Sequence, residues 1–346
     1  MPAKKKRPRI KAPKAIVIAL LALFAVLLFL PGINSMPSKG KMAAITVHRG
    51  EGFREIVEAL HDAGVIRFRW PLLVAGALIP PLHKIKPGRY AIPGSLSTFS
   101  LLWRLHTHPQ DEVRLMIPNG FEQRKIAGII AANLDIDSTA FMAASRDPRL
   151  LASLGIKGSS TEGYLFPGTY NFAWASTPQE VIAFLAGRFR MFYTDSLKLE
   201  AKKAGLSETQ LMTLASIVEA ETPLDAEKPL IASVYLNRLK KKMRLQADPT
   251  VQYAIPGDTR PLYFKDLVID SPYNTYRNAG LPPGPICNPG AASIRAVLNP
   301  AKTDYLYFVA NGRGGHAFAT TFAGHASNIR SYRLALKAQQ SADGKP

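Results

Sequence analysis

The stretch Ser207-Glu-Thr-Gln-Leu-Met-Thr-Leu-Ala-Ser-Ile-Val-Glu-Ala-Glu-Thr222, followed by Pro223, contains the clearest helix pattern in the chain. Ser207 and Gln210 have the spacing of a capping box, in which each side chain satisfies a free backbone N–H group at a helix start. Apolar residues then recur at helical spacing, and Pro223 ends the pattern because proline has no amide hydrogen to donate. We therefore predict a helix over residues 207–222.

Two carboxylates, Glu219 and Glu221, lie near the end of this helix. At about 100° per residue they are about 200° apart around the axis, one at each margin of the apolar stripe, so periodicity does not choose between them. A glutamate at the edge of such a stripe is partly removed from water, which raises its pKa and suits it to general acid catalysis. The alternative is that both are surface acids that face solvent.

Short strands and helices are mixed along the rest of the chain. Residues 44–47 and 114–117 are strand-like, and each run leads through a glycine into a helix-like run, so a strand-glycine-helix unit occurs twice. Residues 230–244 predict a further helix. Its inward-facing residues are predicted to be Ile231, Val234, Tyr235 and Leu239. The mixture, with its Pro- and Gly-rich loops, predicts an α+β fold.

The chain begins with a basic tail and an apolar run. Residues 1–14 contain seven lysines or arginines and no acid, and residues 15–30 are uncharged and almost wholly apolar. That run spans roughly 24 Å of a ~30 Å hydrocarbon core, so we extend the predicted transmembrane signal anchor to residues 15–33. A cleaved signal peptide is the alternative, although no convincing cleavage site follows Leu30. By the positive-inside rule the tail 1–14 stays cytoplasmic, and the chain after the anchor lies across the membrane.

The formal charge is +19, and much of this excess remains when the tail is set aside. Such a balance suits nucleic acid, anionic lipid or an acidic polymer alike. No nucleic-acid-binding motif is present, so nucleic acid is not an expected partner. Cys287 is the single cysteine, so no disulfide forms within the chain. The histidines form no HExxH motif or Cys/His cluster, and we expect no metal and no other cofactor.

A series of motifs occupies the C-terminal half of the chain. They are Ser216-Ile-Val-Glu-Ala-Glu-Thr222, Val234-Tyr-Leu-Asn-Arg-Leu239, Leu245-Gln-Ala-Asp-Pro-Thr-Val251, Ser271-Pro-Tyr-Asn-Thr-Tyr276, Gly280-Leu-Pro-Pro-Gly-Pro-Ile286, Asn288-Pro-Gly290 and Tyr305-Leu-Tyr-Phe-Val309. The series resembles the successive motifs of the YceG-like endolytic murein transglycosylases, and the resemblance extends over roughly residues 45–335. Many motifs in one order are far more specific than any single motif.

The resemblance implies that Glu219 is the catalytic residue and that Glu221 supports it. The implied reaction uses no water. Glu219 protonates the oxygen that bridges MurNAc and GlcNAc, and its carboxylate then takes the proton of the MurNAc 6-hydroxyl as that hydroxyl closes onto C1. The resemblance further implies peptidoglycan glycan strands as substrate, the bacterial inner membrane as location, termination of nascent strands, and peptidoglycan synthases as partners.

Composition, element order and the motif series together divide the chain. Residues 34–41 form a linker rich in Pro, Ser, Gly and Lys. Residues 42–106 resemble a small LysM-like βααβ module, a unit that holds GlcNAc-containing glycans in many proteins, and a simple packing or spacer domain is the alternative. Residues 107–335 then form a mixed α/β catalytic domain, and residues 336–346 form a flexible tail.

Five further residues are candidates for orienting the sugars or Glu219: Gln246, Asp248, Asn274, Tyr276 and His316. Amides and carboxylates hydrogen-bond hydroxyl groups, and tyrosine rings stack on the apolar faces of sugars. Each has a simpler alternative, since Asn274 can brace its own turn, Asp248 can cap the helix after Pro249, and Tyr276 can belong to the core.

Glu162, in a further family motif, is expected to have a structural role. Three positions depart from the family pattern, namely Asn119 where Glu is usual, Gly168 where Asp is usual, and Gly324-His-Ala326 where Glu-His-Asn is common. Two other functions remain open, a non-catalytic peptidoglycan-binding scaffold and a glycoside hydrolase that uses water. The intact Glu219 favours the transglycosylase over the scaffold, and the chemistry of the product ends distinguishes it from the hydrolase.

Overall fold

The computed structural model describes residues 34–35, 43–94, 96–107, 112–255, 257 and 260–342, with a few single positions between 16 and 26. The predicted basic tail 1–14 lies outside the described residues, as do most of the predicted anchor 15–33, most of the linker 34–41 and the end of the tail 336–346. In the described part of the chain no helix is long and apolar enough to cross a membrane.

The chain divides into two compact units near Val113, and the short segment Ala173–Ala175 belongs to the first. In the first unit, strand β1 (Ala43–Val47) pairs antiparallel with β2 (Gly88–Ile92). Between them lie α1 (Phe53–Asp62), α2 (Trp70–Leu78) and a 3-10 turn (Pro80–His83), and α3 (Thr98–Thr107) follows β2. The order from β1 to β2 is therefore β-α-α-β. The sugar-binding role suggested for residues 42–106 stays a prediction.

The core of the first unit forms where the helices cover the inner face of this small sheet. Strand residues alternate between this core and solvent, because successive side chains of a strand point to opposite faces. The buried apolar residues include Ile45, Val47, Ile56, Val57, Leu60, Leu72, Leu101, Leu102 and Leu105. Removing one such leucine side chain costs about 2–5 kcal/mol of stability.

The second unit is mainly helical. Its first part contains β3 (Glu112–Ile117), α4 (Gln123–Asn133), α5 (Ser138–Ala144), α6 (Pro148–Ser153), β4 (Gly168–Ala173), α7 (Pro178–Phe192) and α8 (Asp195–Lys203). Its second part contains α9 (Glu208–Glu221), α10 (Lys228–Lys240), α11 (Asp248–Ala254), a 3-10 turn (Phe264–Val268), α12 (Ala291–Leu298), β5 (Tyr307–Ala310), β6 (His316–Ala319) and α13 (Phe322–Ala342). β3 pairs with β4, and β5 pairs antiparallel with β6. The coarse α+β prediction is confirmed.

The strand-glycine-helix unit occurs twice. β1 leads through Gly50 into α1, and β3 leads through Gly120 into α4. Both glycines have positive φ angles, 93° and 73°, a conformation that is strained for residues with a Cβ. The Gly120 N–H also donates to the Asn288 carbonyl at 2.9 Å, which fastens the second turn to the loop before α12.

Helix α9 begins with the predicted capping box and ends at Glu221. The Ser207 N–H donates to Gln210 Oε1 at 2.9 Å, and the Gln210 N–H donates to Ser207 Oγ at 3.2 Å. The prediction of an apolar stripe with polar margins was wrong, because every residue from Leu211 to Val218 is buried. Helices α8, α10, α11 and α12 surround α9, so it forms the centre of the core. Glu219 and Glu221 follow the buried stretch, in the last turn of the helix.

Helix α10 differs from its prediction over residues 230–244. It spans Lys228–Lys240 and stops early because Lys242 adopts a left-handed φ of 55°. A residue in that conformation cannot continue a right-handed helix. Ile231, Val234 and Tyr235 are buried as expected.

Candidate functional site

Glu219 lies at the C-terminal end of α9, and its side chain is only 6% exposed. Ser293 Oγ donates to Glu219 Oε2 at 2.6 Å, and the Gly290 N–H donates to the same oxygen at 2.9 Å. Lys228 Nζ donates to Oε1 at 3.2 Å. Both carboxylate oxygens are therefore held by donors from α10 and from the start of α12, and the orientation of the carboxyl group is fixed.

The start of α12 supplies two of these donors. Gly290 is the N-cap residue of α12, and Ser293 is buried in its first turn. A helix N-terminus carries a partial positive charge and free N–H groups, which stabilise an anion. Glu219 thus reaches from the end of α9, where the helix dipole disfavours negative charge, to the start of α12, where it favours it. A Cβ at Gly290 would lie 2.7 Å from Asn119 Oδ1, so a larger residue there requires the Asn119 side chain to move.

Lys228 supplies the third donor. Its side chain is 2% exposed, and its ammonium group also contacts Asp225 Oδ1 at 2.7 Å. Burial lowers the pKa of Lys228, but hydrogen bonds to Asp225 and Glu219 outweigh burial and raise the pKa above its ordinary value. The lysine is therefore charged at neutral pH. A buried cation requires charged partners, and removing either partner of such a pair is costly.

Glu221 has different surroundings. Tyr235 donates a short hydrogen bond from its hydroxyl to Glu221 Oε1. Burial raises the pKa of Glu221 to about 7; the hydrogen bond from Tyr235 opposes this rise, and the negative charge of Asp248 adds to it. At neutral pH this carboxyl group is therefore protonated in a large fraction of molecules. It can donate a hydrogen bond in one state and accept one in the other.

The two glutamates line the same open cleft, which has a volume of 860 Å³. Asp248 contributes to its wall, together with the Gly120 turn and Tyr253. A smaller cavity of 270 Å³ shares Glu221 and Asp248 with the cleft. Its remaining lining residues are Tyr235, Arg238, Leu245, Gln246, Tyr276, Phe308 and His325. Within the described residues, no group of His, Cys, Asp or Glu side chains is arranged to hold a metal ion.

Comparison with known proteins gives consistent matches. The model of the YceG-like family matches residues 45–331. The chain belongs to the YceG-like family. An endolytic murein transglycosylase of Bacillus subtilis is 49% identical over 171 residues, which are 49% of this chain and 48% of that protein. One from Streptococcus pneumoniae R6 is 30% identical over 328 residues, covering 84% of this chain and 58% of the relative.

A solved structure agrees with this membership. The crystal structure of a YceG-like protein from Listeria monocytogenes, determined at 2.6 Å, matches with a TM-score of 0.58 and 31% identity. The match covers 82% of this chain and 97% of that chain. The present chain spans only about half the length of the curated relatives it matches.

The predicted YceG-like site residues fall into two groups. Glu219, Glu221, Gln246, Asp248 and Tyr276 line the cleft or the adjoining cavity. Tyr276 donates from its hydroxyl to Asp248 Oδ1 at 2.5 Å, and burial followed by this bond raises the pKa of Tyr276. Gln246 has a left-handed φ of 50°, a strained conformation of the kind found at functional sites. Their roles toward a ligand stay predictions.

Asn274 and His316 lie in other surroundings. Asn274 is buried, and its side-chain amide donates to the carbonyls of Leu267 and Ile269 while its oxygen accepts from the Tyr276 N–H. It braces the loop that carries Tyr276. His316 Nδ1 contacts Glu227 Oε2 at 2.7 Å, and its backbone N–H donates to Oε1 at 2.8 Å. These contacts support positioning roles for both residues, and direct contact with substrate stays a prediction.

Glu162 has the contacts of a structural residue. The Gln123 N–H donates to both of its carboxylate oxygens, and Asn288 Nδ2 donates to Oε1 at 3.0 Å. Burial raises the pKa of Glu162 to about 8, although the hydrogen bond from Gln123 opposes the rise. The carboxyl group ties the start of α4 to the loop before Gly290, and this loop positions one donor to Glu219.

Sequence reasoning missed three residues of this YceG-like site, namely Lys228, Ser293 and Tyr235. Tyr235 was expected inside the core, but nothing in its helical spacing shows that its hydroxyl meets Glu221. Ser293 follows the Asn288-Pro-Gly290 motif at the third position of a helix, and this was the one available signal. Lys228 precedes Pro229 at a helix start and resembles an ordinary surface lysine.

Proposed function

We propose that this chain is a peptidoglycan lytic endotransglycosylase. It cleaves the glycosidic bond between MurNAc and GlcNAc in nascent glycan strands and leaves 1,6-anhydroMurNAc ends. The observation that carries the proposal is a buried glutamate, Glu219, held by three donors in a cleft of 860 Å³. The names of the relatives from Bacillus subtilis and Streptococcus pneumoniae support the same activity. The reaction is that of a lyase, since no water is consumed.

The proposed chemistry has two proton transfers through one carboxyl group. Protonated Glu219 gives its proton to the bridging oxygen, the bond from this oxygen to MurNAc C1 breaks, and an oxocarbenium-like centre develops at C1. The MurNAc 6-hydroxyl oxygen then bonds to C1, and its proton passes to the Glu219 carboxylate. Glu219 ends in its starting state, and the shortened strand carries the anhydro end.

The surroundings of Glu219 assist the step in which charge develops. As Glu219 loses its proton, negative charge grows on its oxygens, where Ser293, the Gly290 N–H and Lys228 already point. Donors that are fixed in advance stabilise such charge without reorganising during the reaction. The same anion lies beside the developing positive centre of the sugar. Glu221, Asp248, Gln246 and Tyr276 orient hydroxyl or acetamido groups in the adjoining cavity.

The location proposed for this activity follows from the sequence. Residues 15–33 anchor the chain in the bacterial inner membrane, with residues 1–14 in the cytoplasm and both folded units outside it. The substrate lies on that outer side. Action on nascent strands ends their elongation and suggests peptidoglycan synthases as neighbours.

The test uses full-length protein in detergent with purified peptidoglycan sacculi. Mass spectrometry of the released fragments should find anhydro-ended glycans with wild type. With Glu219→Gln the rate should fall about 10²–10⁴-fold, which is the contribution of general acid–base catalysis. The matched control is Glu208→Gln, the same change at the opposite end of α9, where Glu208 forms an ion pair with Arg190.

The products distinguish the remaining alternatives. Reducing ends in place of anhydro ends would show a hydrolase. Binding of sacculi without any cleavage by wild type would show a scaffold. Full activity of Glu219→Gln would remove Glu219 from the mechanism.

A further inference from the structure

Helix α2 in the first unit presents an exposed apolar face. Its sequence, Trp70-Pro-Leu-Leu-Val-Ala-Gly-Ala-Leu78, contains no charged side chain. One side of the helix is buried against the core through Leu72 and Ala75. On the other side Trp70 is 46% exposed, Val74 37% and Leu78 63%. A surface helix normally carries polar residues on its outer side, so this composition is unusual.

The exposed residues form one continuous stripe. Trp70, Val74 and Leu78 are four residues apart, so they lie along a single face of the helix. Phe68, just before the helix, and Ile79, directly after it, are also exposed, at 49% and 37%. A large contiguous apolar patch on a folded surface marks an interaction site.

The beginning of this stripe is fastened to the residues that follow the predicted anchor. The Arg67 N–H donates to the Asn34 carbonyl at 2.8 Å, and the Phe68 N–H donates to Asn34 Oδ1 at 2.8 Å. Ser35 forms a β-bridge with Ile66. Asn34 and Ser35 are both buried. Because the predicted anchor ends at residue 33, the chain that leaves the membrane is held at once against the start of the stripe.

Charged groups around the stripe favour a lipid surface. Arg67, Lys84 and Lys86, which are close in sequence to its two ends, are exposed. Lysine and arginine side chains can lie along an apolar surface while their charges reach anionic headgroups. Arg69 is the exception, since it pairs with two acids of α1, Asp62 at 3.5 Å and Glu58 at 4.0 Å. Tryptophan, as at position 70, is enriched where a protein meets the boundary between water and lipid.

We propose that residues Phe68, Trp70, Val74, Leu78 and Ile79 dock on the surface of the lipid bilayer beside the anchor. The stripe enters the boundary between headgroups and acyl chains, and the first unit lies against the membrane. This inference rests on the membrane anchoring proposed above. A docked unit is held at a fixed height above the membrane.

The test measures the depth of Trp70 in a membrane. The chain contains three tryptophans, so two single-tryptophan forms are made by replacing the others with Phe, one retaining Trp70 and one retaining Trp174. Trp174 is 5% exposed and contacts Arg89 and His48 of the first unit, which makes it the matched control. Full-length protein is reconstituted in vesicles of phosphatidylcholine and phosphatidylglycerol, with or without bromine on the acyl chains.

Brominated chains should remove about half of the Trp70 emission, because a docked side chain lies about 5–10 Å into the boundary region. The Trp174 emission should change little. Equal emission of Trp70 in both kinds of vesicle would overturn the proposal. A second result would also overturn the proposal. If bromine does not quench Trp70 but Trp70 becomes less accessible to solvent as the protein concentration rises, a second copy of the chain covers the stripe.

A second variant separates docking from folding. Val74→Glu with Leu78→Glu places charges on exposed positions and leaves the buried side of α2 unchanged. Quenching of Trp70 should then fall at least about threefold while the circular dichroism spectrum stays the same, because charged groups are excluded from the acyl chains. Unchanged quenching would contradict docking. Vesicle flotation is measured in parallel, since failure of wild type to float contradicts the anchor itself, whereas flotation without quenching contradicts only the docking.

Discussion

Glu219 and Glu221 leave the same helix two residues apart and enter different environments. Glu219 meets three donors. One is the buried ammonium group of Lys228 in α10, and the other two lie at the start of α12. Glu221 meets one tyrosine hydroxyl and lies close to the carboxylate of Asp248. The first environment supplies donors to both carboxylate oxygens of Glu219, and the second raises the pKa of Glu221 to about 7. The partners that tertiary structure brings to a carboxyl group, more than its place on a helix, decide its chemistry.

The proposed mechanism gives the two glutamates different roles in the cleft. A carboxyl group that loses and regains a proton needs donors that accept its charge at the right moment, as Glu219 has. A carboxyl group that stays protonated in part can donate to a sugar oxygen or an acetamido carbonyl, as Glu221 can. Four changes test whether this difference is real, and they are ordered by expected effect.

Of the four changes, Lys228→Met should cause the largest loss of rate. It removes the cation from Glu219 and leaves a carboxylate with two donors. Loss of one fixed donor in a catalytic site lowers the rate about 10²–10³-fold. Stability should fall by about 3 kcal/mol, at the low end for a broken buried pair, because Asp225 is largely exposed. Rates are measured on sacculi, and stability is measured by denaturant unfolding.

The control is Lys240→Met, which removes an exposed lysine at the other end of α10. It should change neither the rate nor the stability measurably. Lys228→Arg should restore part of the rate, since a charged donor is present again. A wild-type rate in Lys228→Met would show that Glu219 needs no cation, and the two glutamates would then differ less than their contacts indicate.

Glu221→Gln should change how stability depends on pH. The raised pKa means that the folded chain binds a proton at Glu221 that the unfolded chain has lost, between the ordinary value of 4.5 and about 7. Wild-type stability should therefore fall as pH rises through this window, by up to about 3 kcal/mol. Glutamine has no such proton, so the stability of Glu221→Gln relative to wild type should rise across the window. The free energy of unfolding of both proteins is measured by denaturant at each pH. If the two plots of stability against pH are parallel, the pKa of Glu221 is not raised.

The local part of the fold was predictable from the sequence. The capping box of Ser207 and Gln210 and the repeated strand-glycine-helix unit depend on neighbouring residues, so their signals survive in the sequence. The full burial of α9 was not predictable from periodicity. Thr213 and Ser216 resemble surface residues, but their hydroxyls donate to the carbonyls of Thr209 and Thr213, so both are buried without unpaired groups.

The candidate site shows the same limit. Motif order favoured Glu219 as the catalytic residue, which stays a prediction, whereas helical geometry left it equal to Glu221. Ser293 lies 74 residues later in the chain, and only the packing of α12 against α9 brings the two together. A lysine before a proline gives no sign that its ammonium group is buried. Contacts between distant segments were therefore the part that the sequence did not reveal.

Ser293→Ala should have a smaller effect than Lys228→Met. It removes one hydrogen bond of 2.6 Å to Glu219 Oε2, and the Gly290 N–H still donates to that oxygen. A hydrogen bond to a charged group contributes about 1.5–3 kcal/mol, and because the Gly290 N–H still holds this oxygen we expect the low end of that range, a fall in rate of about tenfold. Ser271→Ala, in a loop outside the cleft, is the control. A loss as large as that of Lys228→Met would mean that the helix start matters as much as the cation.

His316→Ala should have the smallest effect on catalysis, because His316 contacts Glu227 and not Glu219. Burial raises the pKa of Glu227, but hydrogen bonds from His316 lower it more, and the net pKa lies below its ordinary value. The stability from this pair is therefore present above the ordinary glutamate pKa and is lost as pH falls through the lowered one. At neutral pH the variant should lose about 1 kcal/mol, and its deficit should shrink in acid.

The expected change in rate for His316→Ala is less than about threefold, since the His316 N–H still holds Glu227 beside Lys228. His83→Ala, which removes an exposed histidine of the first unit, controls for the loss of an imidazole. A much larger loss of rate, with stability little changed, would mean that His316 acts on the cleft directly. The activity of Glu219 would then depend on His316 in addition to its three direct donors. The surroundings of Glu219 and Glu221 would differ by more than their direct contacts show.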